Sequence, residues 1–347
     1  MSEGSSFQIG DYQISPGERR TVDLPVSVLP DHTPVNLSVH IVNGHKPGPV
    51  MFVSAAIHGD EIIGVEIVRR LLDVANLGRL NGTLLAIPIV NAFGFMNHSR
   101  YLPDRRDLNR SFPGSAKGSL ASRLADLFLK EIVARSDYGV DLHSAAIHRN
   151  NFPQIRISPG DDKLLSLATA FGPPLILTSN LREGSLRAAA QEMGVGVLLY
   201  EAGEGLRFDE NAVRTGVSGI LRVMRQLGMV SGKGIRKASV SPIKVRSSFW
   251  LRAPAGGLLR TFKTIGDAIE PGDKLGVISD PFGEVDTELS IDQAGLIIGR
   301  TELPIINEGD GLFHVARLRR DEDAESTIDS LTSQLDDDPL FDEDEII

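Results

Sequence analysis

The residues best suited to chemistry in this 347-residue chain follow an apolar run that has the length of a buried strand. Residues 50–57 form that run, and His58, Asp60 and Glu61 come directly after it. A His-x-x-Glu spacing at a strand end can place an imidazole nitrogen and a carboxylate oxygen on one divalent ion, and zinc favours this mixture of ligands. The same spacing also arises by chance, so the motif needs support from elsewhere in the chain.

Two more strand-like segments end in groups that could serve the same site. Residues 138–143 end at His143, and residues 195–201 end at Glu201. Because the carboxyl ends of neighbouring parallel strands meet at one edge of a sheet, these side chains could converge on a single crevice. Taken alone, His143 reads as a hydrogen-bonded core histidine and Glu201 as an ordinary strand-end carboxylate. Their joint placement favours a mononuclear zinc site.

The elements around these motifs alternate between strands and helices over residues 45–228, which predicts an α/β fold with a parallel or mixed sheet and helices on both faces. Residues 1–20 are polar and are expected to be a loose lead-in. The catalytic domain is expected to span 21–230 and to begin with an edge hairpin. The predicted strands are 21–28, 35–42, 50–57, 82–91, 138–143, 174–178 and 195–201, and the predicted helices lie near 62–72, 120–132, 164–171, 185–193 and 210–227.

The pattern changes after a linker at residues 229–240, and short strands with glycine turns predict a small all-β domain over 241–320. Its two halves resemble each other in sequence, since 255–275 is echoed by 294–312. This repeat resembles the biotinyl/lipoyl type of domain, which carries its prosthetic group on a lysine between the halves. Residues 279–290 contain no lysine, so we expect the shape without the attachment.

Composition excludes several kinds of site. There are no cysteines, so a metal must be held by His, Asp or Glu. The net charge of -10 comes from residues 321–347, which hold 12 of the 46 acidic residues and no lysine or arginine; the remaining 34 acids nearly balance 36 basic residues. We therefore expect an acidic disordered tail, no nucleic-acid partner and, without a signal peptide or membrane span, a cytoplasmic protein.

The long polar loop between residues 93 and 119 completes a recognisable set of motifs. Five segments together resemble the succinylglutamate desuccinylase/aspartoacylase family of zinc hydrolases, which is related to the zinc carboxypeptidases. They are His58-Gly-Asp-Glu61, Asn97-His-Ser-Arg100, residues 104–114, Asp141-Leu-His143 and residues 201–204. The resemblance covers residues from about 45 to 320. It implies a zinc-carboxypeptidase-like catalytic domain followed by the β domain.

The resemblance also implies roles for residues at the matching positions. One Zn²⁺ per chain would be bound by His58, Glu61 and His143, with Glu201 as general base and acid. Arg100 would polarise the scissile carbonyl, and Asn109 with Arg110 would hold a substrate carboxylate. Elementary chemistry agrees, because zinc lowers the pKa of bound water and a guanidinium fork fits a carboxylate.

Several other residues stay open in the sequence. His98 and His148 are alternative ligands that lie outside the matching motif. Asp141 could orient His143 or cap a turn, and Arg156 could line the site or lie on the surface, the second being the simpler interpretation. Aspartoacylases draw a substrate-contacting tyrosine from their C-terminal domain, whereas residues 241–320 contain none, so the acyl pocket must be built differently.

The sequence thus predicts a zinc-dependent deacylase that cleaves the amide of a small N-acyl amino acid or a related carboxylate. Two alternatives remain. One is a metallocarboxypeptidase with an open cleft for peptides, and the other is a non-catalytic binding protein that works through the β domain. Retention of both Glu201 and Arg100 disfavours the second, because a binder needs neither a proton shuttle nor an oxyanion donor. The sequence leaves the acyl group and the oligomeric state open, and a homo-oligomer is compatible with it.

Overall fold

In the computed structural model, which describes residues 4–238 and 241–318, a large mixed β-sheet carries the predicted motifs. The strands are β1 (Phe7–Ile9), β2 (Tyr12–Ile14), β3 (Arg19–Val28), β4 (Pro34–Asn43), β5 (Lys46–Ala55), β6 (Asn81–Ile87), β7 (Tyr138–His143), β8 (Arg149–Ile157), β9 (Leu175–Thr178), β10 (Gly196–Glu204), β11 (Ile243–Val245), β12 (Ser248–Arg252), β13 (Gly257–Thr261), β14 (Ala268–Ile269), β15 (Lys274–Ser279), β16 (Asp286–Ser290), β17 (Gly295–Thr301), β18 (Ile305–Ile306) and β19 (Gly311–Ala316).

The helices lie mostly between the strands of the first 230 residues, as the alternating pattern predicts. They are α1 (Ile63–Asp73), α2 (Ala92–Met96), α3 (Leu120–Glu131), α4 (Asp162–Phe171), α5 (Leu186–Glu192) and α6 (Glu210–Gln226), with short 3-10 turns at Ala75–Arg79, Leu108–Arg110 and Val133–Arg135. Within the described ranges, no helix combines the length and apolar character needed to cross a bilayer.

The middle of the sheet is parallel, in the order β6, β5, β7, β10. The register sets Glu201 of β10 directly beside His143 of β7, and Ala55 of β5 beside Leu142. All these strands therefore end at one edge of the sheet, where loops diverge and a crevice forms. The fold confirms the predicted convergence of the three strand ends.

Apolar side chains on both faces of β5 explain why helices cover the sheet on two sides. Met51 and Val53 belong to a buried cluster with α1, α4 and α6, whereas Phe52 belongs to a second cluster with α3 and α5. Successive residues of a strand point to opposite faces, so a continuous apolar run must be buried on both. The two cores hold the strand ends in fixed positions.

The expectation of a loose lead-in is wrong for residues 7–14. β1 and β2 form an antiparallel hairpin around Gly10, and Ile9 and Ile14 are fully buried in the cluster with α3. Gly10 has a positive φ of 49°, the conformation that a two-residue hairpin turn requires. The hairpin is therefore part of the core on the α3 side of the sheet.

β8 was not predicted, and it joins the two parts of the chain. Its carboxyl-terminal half pairs in parallel with β9, and its amino-terminal half pairs antiparallel with β17. Its other edge pairs with β10, which places Gln154 beside Glu201. Strands from the C-terminal region therefore continue the same hydrogen-bonded sheet, next to the strand that ends in Glu201.

The sequence repeat of the C-terminal region corresponds to a reciprocal exchange of short strands. β13 pairs with β15 and β17 pairs with β19, while β14 pairs with β17 and β18 pairs with β13. The short strand of each half thus pairs with a strand of the other half. Leu259, Ile297 and Phe313 lie in one shared core. The likeness to biotinyl/lipoyl domains and the domain boundaries at 230 and 241 stay predictions, and the acidic tail lies outside the described residues.

Candidate metal centre and active site

The turn after β5 fixes His58 and Glu61 at the sheet edge. Ala56 has a positive φ of 50°, and the backbone amides of Val90 and Asn91 donate to the carbonyls of Ala55 and Ala56. Gly59 has no room for a side chain, since an added Cβ would lie 1.8 Å from the Gly94 carbonyl carbon. The tight turn therefore depends on glycine between the two chemical groups.

His58, Glu61 and His143 converge in the crevice and are all buried. Nδ1 of His58 lies 2.7 Å from Oε1 of Glu61, and Nδ1 of His143 lies 2.6 Å from Oε2 of the same carboxylate. One ligand atom from each residue lies within 4.8 Å of the others. The two imidazoles thus present the same nitrogen to one carboxylate.

The opposite nitrogen of each ring contacts an aspartate. Nε2 of His58 lies 3.1 Å from Oδ1 of Asp107, and Nε2 of His143 lies 2.9 Å from Oδ2 of Asp141. Asp141 is held in turn by the Ser54 hydroxyl at 2.8 Å. When Nε2 donates its proton to a carboxylate, the lone pair of Nδ1 faces the shared point beside Glu61, which is how protein histidines are oriented toward metals.

This arrangement requires positive charge between the rings and Glu61. Burial disfavours imidazolium, but the Asp141 and Glu61 carboxylates outweigh it and raise the pKa of His143 well above its usual value. Burial alone would raise the pKa of Glu61, yet the neighbouring His58 and His143 hold it far below its usual range. A divalent cation satisfies the same need, and the set of two nitrogens and one carboxylate oxygen fits zinc.

The alternative histidine ligands lie elsewhere. His98 is exposed, and the side chain of His148 is 56% exposed with Nδ1 4.0 Å from Glu204. Among the described residues, neither joins the group formed by His58, Glu61 and His143.

Glu201 and Arg100 both border the cleft and have different partners. Oε2 of Glu201 accepts a hydrogen bond from Nδ2 of Asn151 at 2.8 Å, and its Oε1 lies 3.4 Å from the Arg156 guanidinium. Arg100 contacts Glu61 at 3.2 Å and Asp107 at 2.9 Å. Arg156 is therefore a cleft residue that positions Glu201, and the interpretation of it as a surface arginine is wrong.

Asn109 and Arg110 lie where the 93–119 loop meets α5. Oδ1 of Asn109 accepts a hydrogen bond from the Leu186 amide at 2.9 Å, and Asp107 accepts one from the Asn109 amide at 2.8 Å. The Arg110 guanidinium borders the cleft and donates to the Asn109 carbonyl. Among the described residues no carboxylate forms a salt bridge with Arg110, whose NH1 donates to the Asn109 carbonyl.

The cleft encloses about 490 Å³, and part of its wall comes from residues that sequence reasoning missed. Asn151 and Arg187 belong to β8 and α5, while Trp250 and His314 come from β12 and β19 of the C-terminal region. Burial, followed by the neighbouring Arg156 charge, lowers the pKa of Arg187 to about 10. The strand ends in the sequence indicated that His58, Glu61 and His143 could lie together. The wall that contains Asn151, Trp250 and His314 depends instead on the pairing of β8 with β17.

Comparison with known protein families gives one match that covers half of the chain. The catalytic domain of the succinylglutamate desuccinylase/aspartoacylase family matches residues 47–227, which include every predicted site residue. A curated relative, the N-alpha-acetyl-L-2,4-diaminobutyric acid deacetylase of Halomonas elongata, is 25% identical over 284 residues. The match covers 78% of this chain and 83% of the relative.

Solved structures share the fold over nearly the whole chain. The product-bound ectoine utilization protein EutE (DoeB) from Ruegeria pomeroyi superposes with a TM-score of 0.77 at 24% identity, covering 86% of this chain and 95% of that one. A succinylglutamate desuccinylase/aspartoacylase structure from Rhodobacter sphaeroides gives 0.76 at 23% identity, covering 87% and 96%. Both likenesses extend beyond residue 227 into the C-terminal strands.

Proposed function

Because the chain belongs to the succinylglutamate desuccinylase/aspartoacylase family, we propose that it is a zinc-dependent hydrolase that cleaves the amide bond of a small N-acyl amino acid or a related carboxylate. The observation that carries the proposal is the convergence, in one cleft, of the His58–Glu61–His143 group with Glu201 and Arg100. A metal-ligand set, a carboxylate and a guanidinium are the groups that water attack on an amide requires.

His58, Glu61 and His143 would hold one zinc ion per chain, with Asp107 and Asp141 orienting the two imidazoles. When bound, zinc supplies the Lewis acidity that makes water nucleophilic near neutral pH. Two histidines and one glutamate leave coordination positions open, as catalytic zinc sites do.

Glu201 would be the general base and then the general acid. Its carboxylate accepts a proton from the attacking water and passes it to the leaving amine, so that amide and water become a carboxylate and an amine. Asn151 and Arg156 each contact one oxygen of Glu201, which restricts the rotation of its side chain. A base held in one orientation loses little entropy on reaching the transition state.

Arg100 would stabilise the negative charge that develops on the scissile carbonyl oxygen. Its present contacts with Glu61 and Asp107 hold the guanidinium at the mouth of the metal group. Donors fixed in this way stabilise the tetrahedral oxyanion more than the planar amide, and this difference lowers the barrier.

Asn109 and Arg110 would bind the substrate carboxylate. Arg110 has a planar fork that fits a carboxylate in a bidentate manner. The Asp107 side chain contacts both His58 and the Asn109 amide, so the metal group and the carboxylate clamp share one support.

The volume and walls of the cleft favour a small substrate over a peptide. Trp250 and His314 close one side of a space of about 490 Å³, which is within the range of small-molecule sites. The metallocarboxypeptidase alternative requires an open cleft, and walls from the C-terminal strands disfavour it. The H. elongata relative is named for removal of an acetyl group from an amino acid, which agrees with this class.

Hydrolysis of N-acetyl and N-succinyl amino acids by the zinc-loaded protein tests the proposal. We expect at least one to be cleaved, and Glu201→Gln to lower kcat about 100- to 10,000-fold because the proton shuttle is lost. Zinc content measured in parallel should be equal in both proteins. No cleavage across the series, or a Glu201→Gln variant as fast as the wild type, would contradict the mechanism.

A further inference from the structure

Several unpartnered polar atoms belong to residues that border the cleft. Within residues 4–238 and 241–318, five buried side-chain polar atoms lack a hydrogen-bond partner. Three of them belong to residues that border the cleft, namely Nδ1 of His314, Oδ1 of Asn150 and NH1 of Arg187. Buried polar groups are nearly always paired, so such a concentration at a cavity indicates atoms reserved for a ligand.

His314 is the most buried of these three residues, and its position is fixed from two directions. Its ring stacks on Trp250 with 4.8 Å between centroids and an interplanar angle of 4°, and its Nε2 lies 2.8 Å from the Ser248 hydroxyl. His314 is 8% exposed. The stacking and the Nε2 contact leave Nδ1 as the free atom of an immobilised ring.

The neighbours of His314 favour a neutral ring. Burial, followed by the positive charge of Arg156, lowers the pKa of His314 to about 3. A neutral imidazole donates at one nitrogen and accepts at the other. When the Ser248 hydroxyl donates to Nε2, the proton of the neutral ring lies on Nδ1, the nitrogen without a partner.

We propose that His314, stacked on Trp250, is a specificity-determining residue whose Nδ1–H donates a hydrogen bond to a polar oxygen of the substrate, remote from the carboxylate held by Arg110. The proposal rests on the proposed function and adds the substrate class, an N-acyl amino acid with a second oxygen-bearing group. It gives the C-terminal strands β12 and β19, which carry Trp250 and His314 to the cleft, a direct part in substrate choice.

His314→Phe tests the proposal, since it keeps a flat ring against Trp250 and removes both nitrogens. Three substrates separate the positions of the second group: N-acetyl-L-alanine lacks it, N-acetyl-L-glutamine carries it on the side chain, and N-succinyl-L-alanine carries it on the acyl group. We expect kcat/KM to fall about 10- to 100-fold for one of the two extended substrates and less than about 3-fold for N-acetyl-L-alanine.

Trp250→Phe and Ser248→Ala serve as controls. Trp250→Phe retains an aromatic partner and should preserve the ranking of substrates, whereas Ser248→Ala frees Nε2 and should weaken the same extended substrate less than His314→Phe does. Calorimetric titration of the three compounds into zinc-loaded Glu201→Gln protein, with and without His314→Phe, measures binding without turnover. An equal loss for all three compounds, or no loss for any, would overturn the role of His314. Absence of turnover in the wild type would instead contradict the proposed function.

Discussion

His143 and His314 are buried histidines that border one cleft, yet the charges around them have opposite sign. His143 lies between Asp141 and Glu61, which raise its pKa, whereas His314 lies near Arg156, and burial and that cation lower its pKa. Every ring nitrogen of His143 has a carboxylate partner, but Nδ1 of His314 has no partner. The surroundings of His143 thus suit a neighbouring cation, whereas those of His314 suit a neutral ring.

Removing the charge of Asp141 should change the affinity of the site for zinc, because Asp141 contacts Nε2 of His143. Asp141→Asn should weaken zinc binding about 10- to 100-fold, because the His143 ring loses the carboxylate that orients it and raises its basicity. Competition with a chelating dye measures the affinity. Asp73→Asn, at a side chain that is 76% exposed, should bind zinc like the wild type. Equal affinity in Asp141→Asn would show that this aspartate serves only the sheet.

Lowering the pH tests whether the surroundings of His314 keep its ring neutral. The folded-state pKa of His314, about 3, lies below the unfolded value of 6.5, so between these pH values the unfolded chain takes up a proton that the folded protein does not. Stability is therefore lost as the pH falls below about 6.5, and His314 alone should account for about 2 kcal/mol at pH 5. Urea unfolding at pH 7 and pH 5 measures the difference.

The free energy of unfolding of His314→Phe should depend less on this pH change, by the same amount, because phenylalanine has no group that titrates. Parallel pH curves for wild type and His314→Phe would show that His314 does not titrate as its surroundings predict.

A smaller effect is expected from Arg156→Gln, which separates the two causes of the low His314 pKa. Burial is the larger cause and remains in the variant, so the pKa should rise only part of the way toward 6.5. Titration of the ring by NMR measures it directly. A pKa of 6.5 in the variant would assign the whole shift to Arg156. An unchanged pKa would show that Arg156 does not contribute to it.

The sequence predicted that His58, Glu61, His143 and Glu201 would lie at one edge of the sheet, because this placement depends on local order along each strand. A buried strand followed by His58 and Glu61, and strands ending at His143 and Glu201, define the edge of a parallel sheet before any tertiary contact is known. The hairpin at residues 7–14 could have been found as well, since Phe7, Ile9, Tyr12 and Ile14 alternate around Gly10. Polarity at the start of the chain concealed that pattern.

The opposite wall could not be predicted in the same way. β8 contains Asn150, Asn151, Pro153 and Gln154, so it lacks the apolar alternation of a strand, and its stability comes from pairing with β10, β9 and β17. Trp250 and His314 are 64 residues apart and meet because β12 pairs with β19 in a register that sets them opposite each other. Such contacts are properties of the folded sheet and leave no local signal.

Elemental analysis shows whether His58, Glu61 and His143 form a zinc centre. Wild-type protein incubated with zinc and then desalted should hold about one zinc ion per chain, and so should His148→Ala, at the exposed histidine outside the group. His143→Ala should lose the metal while its circular dichroism still shows a folded chain. A wild type that stays free of zinc, or a His143→Ala variant that retains a full equivalent, would show that these three residues do not form a zinc centre.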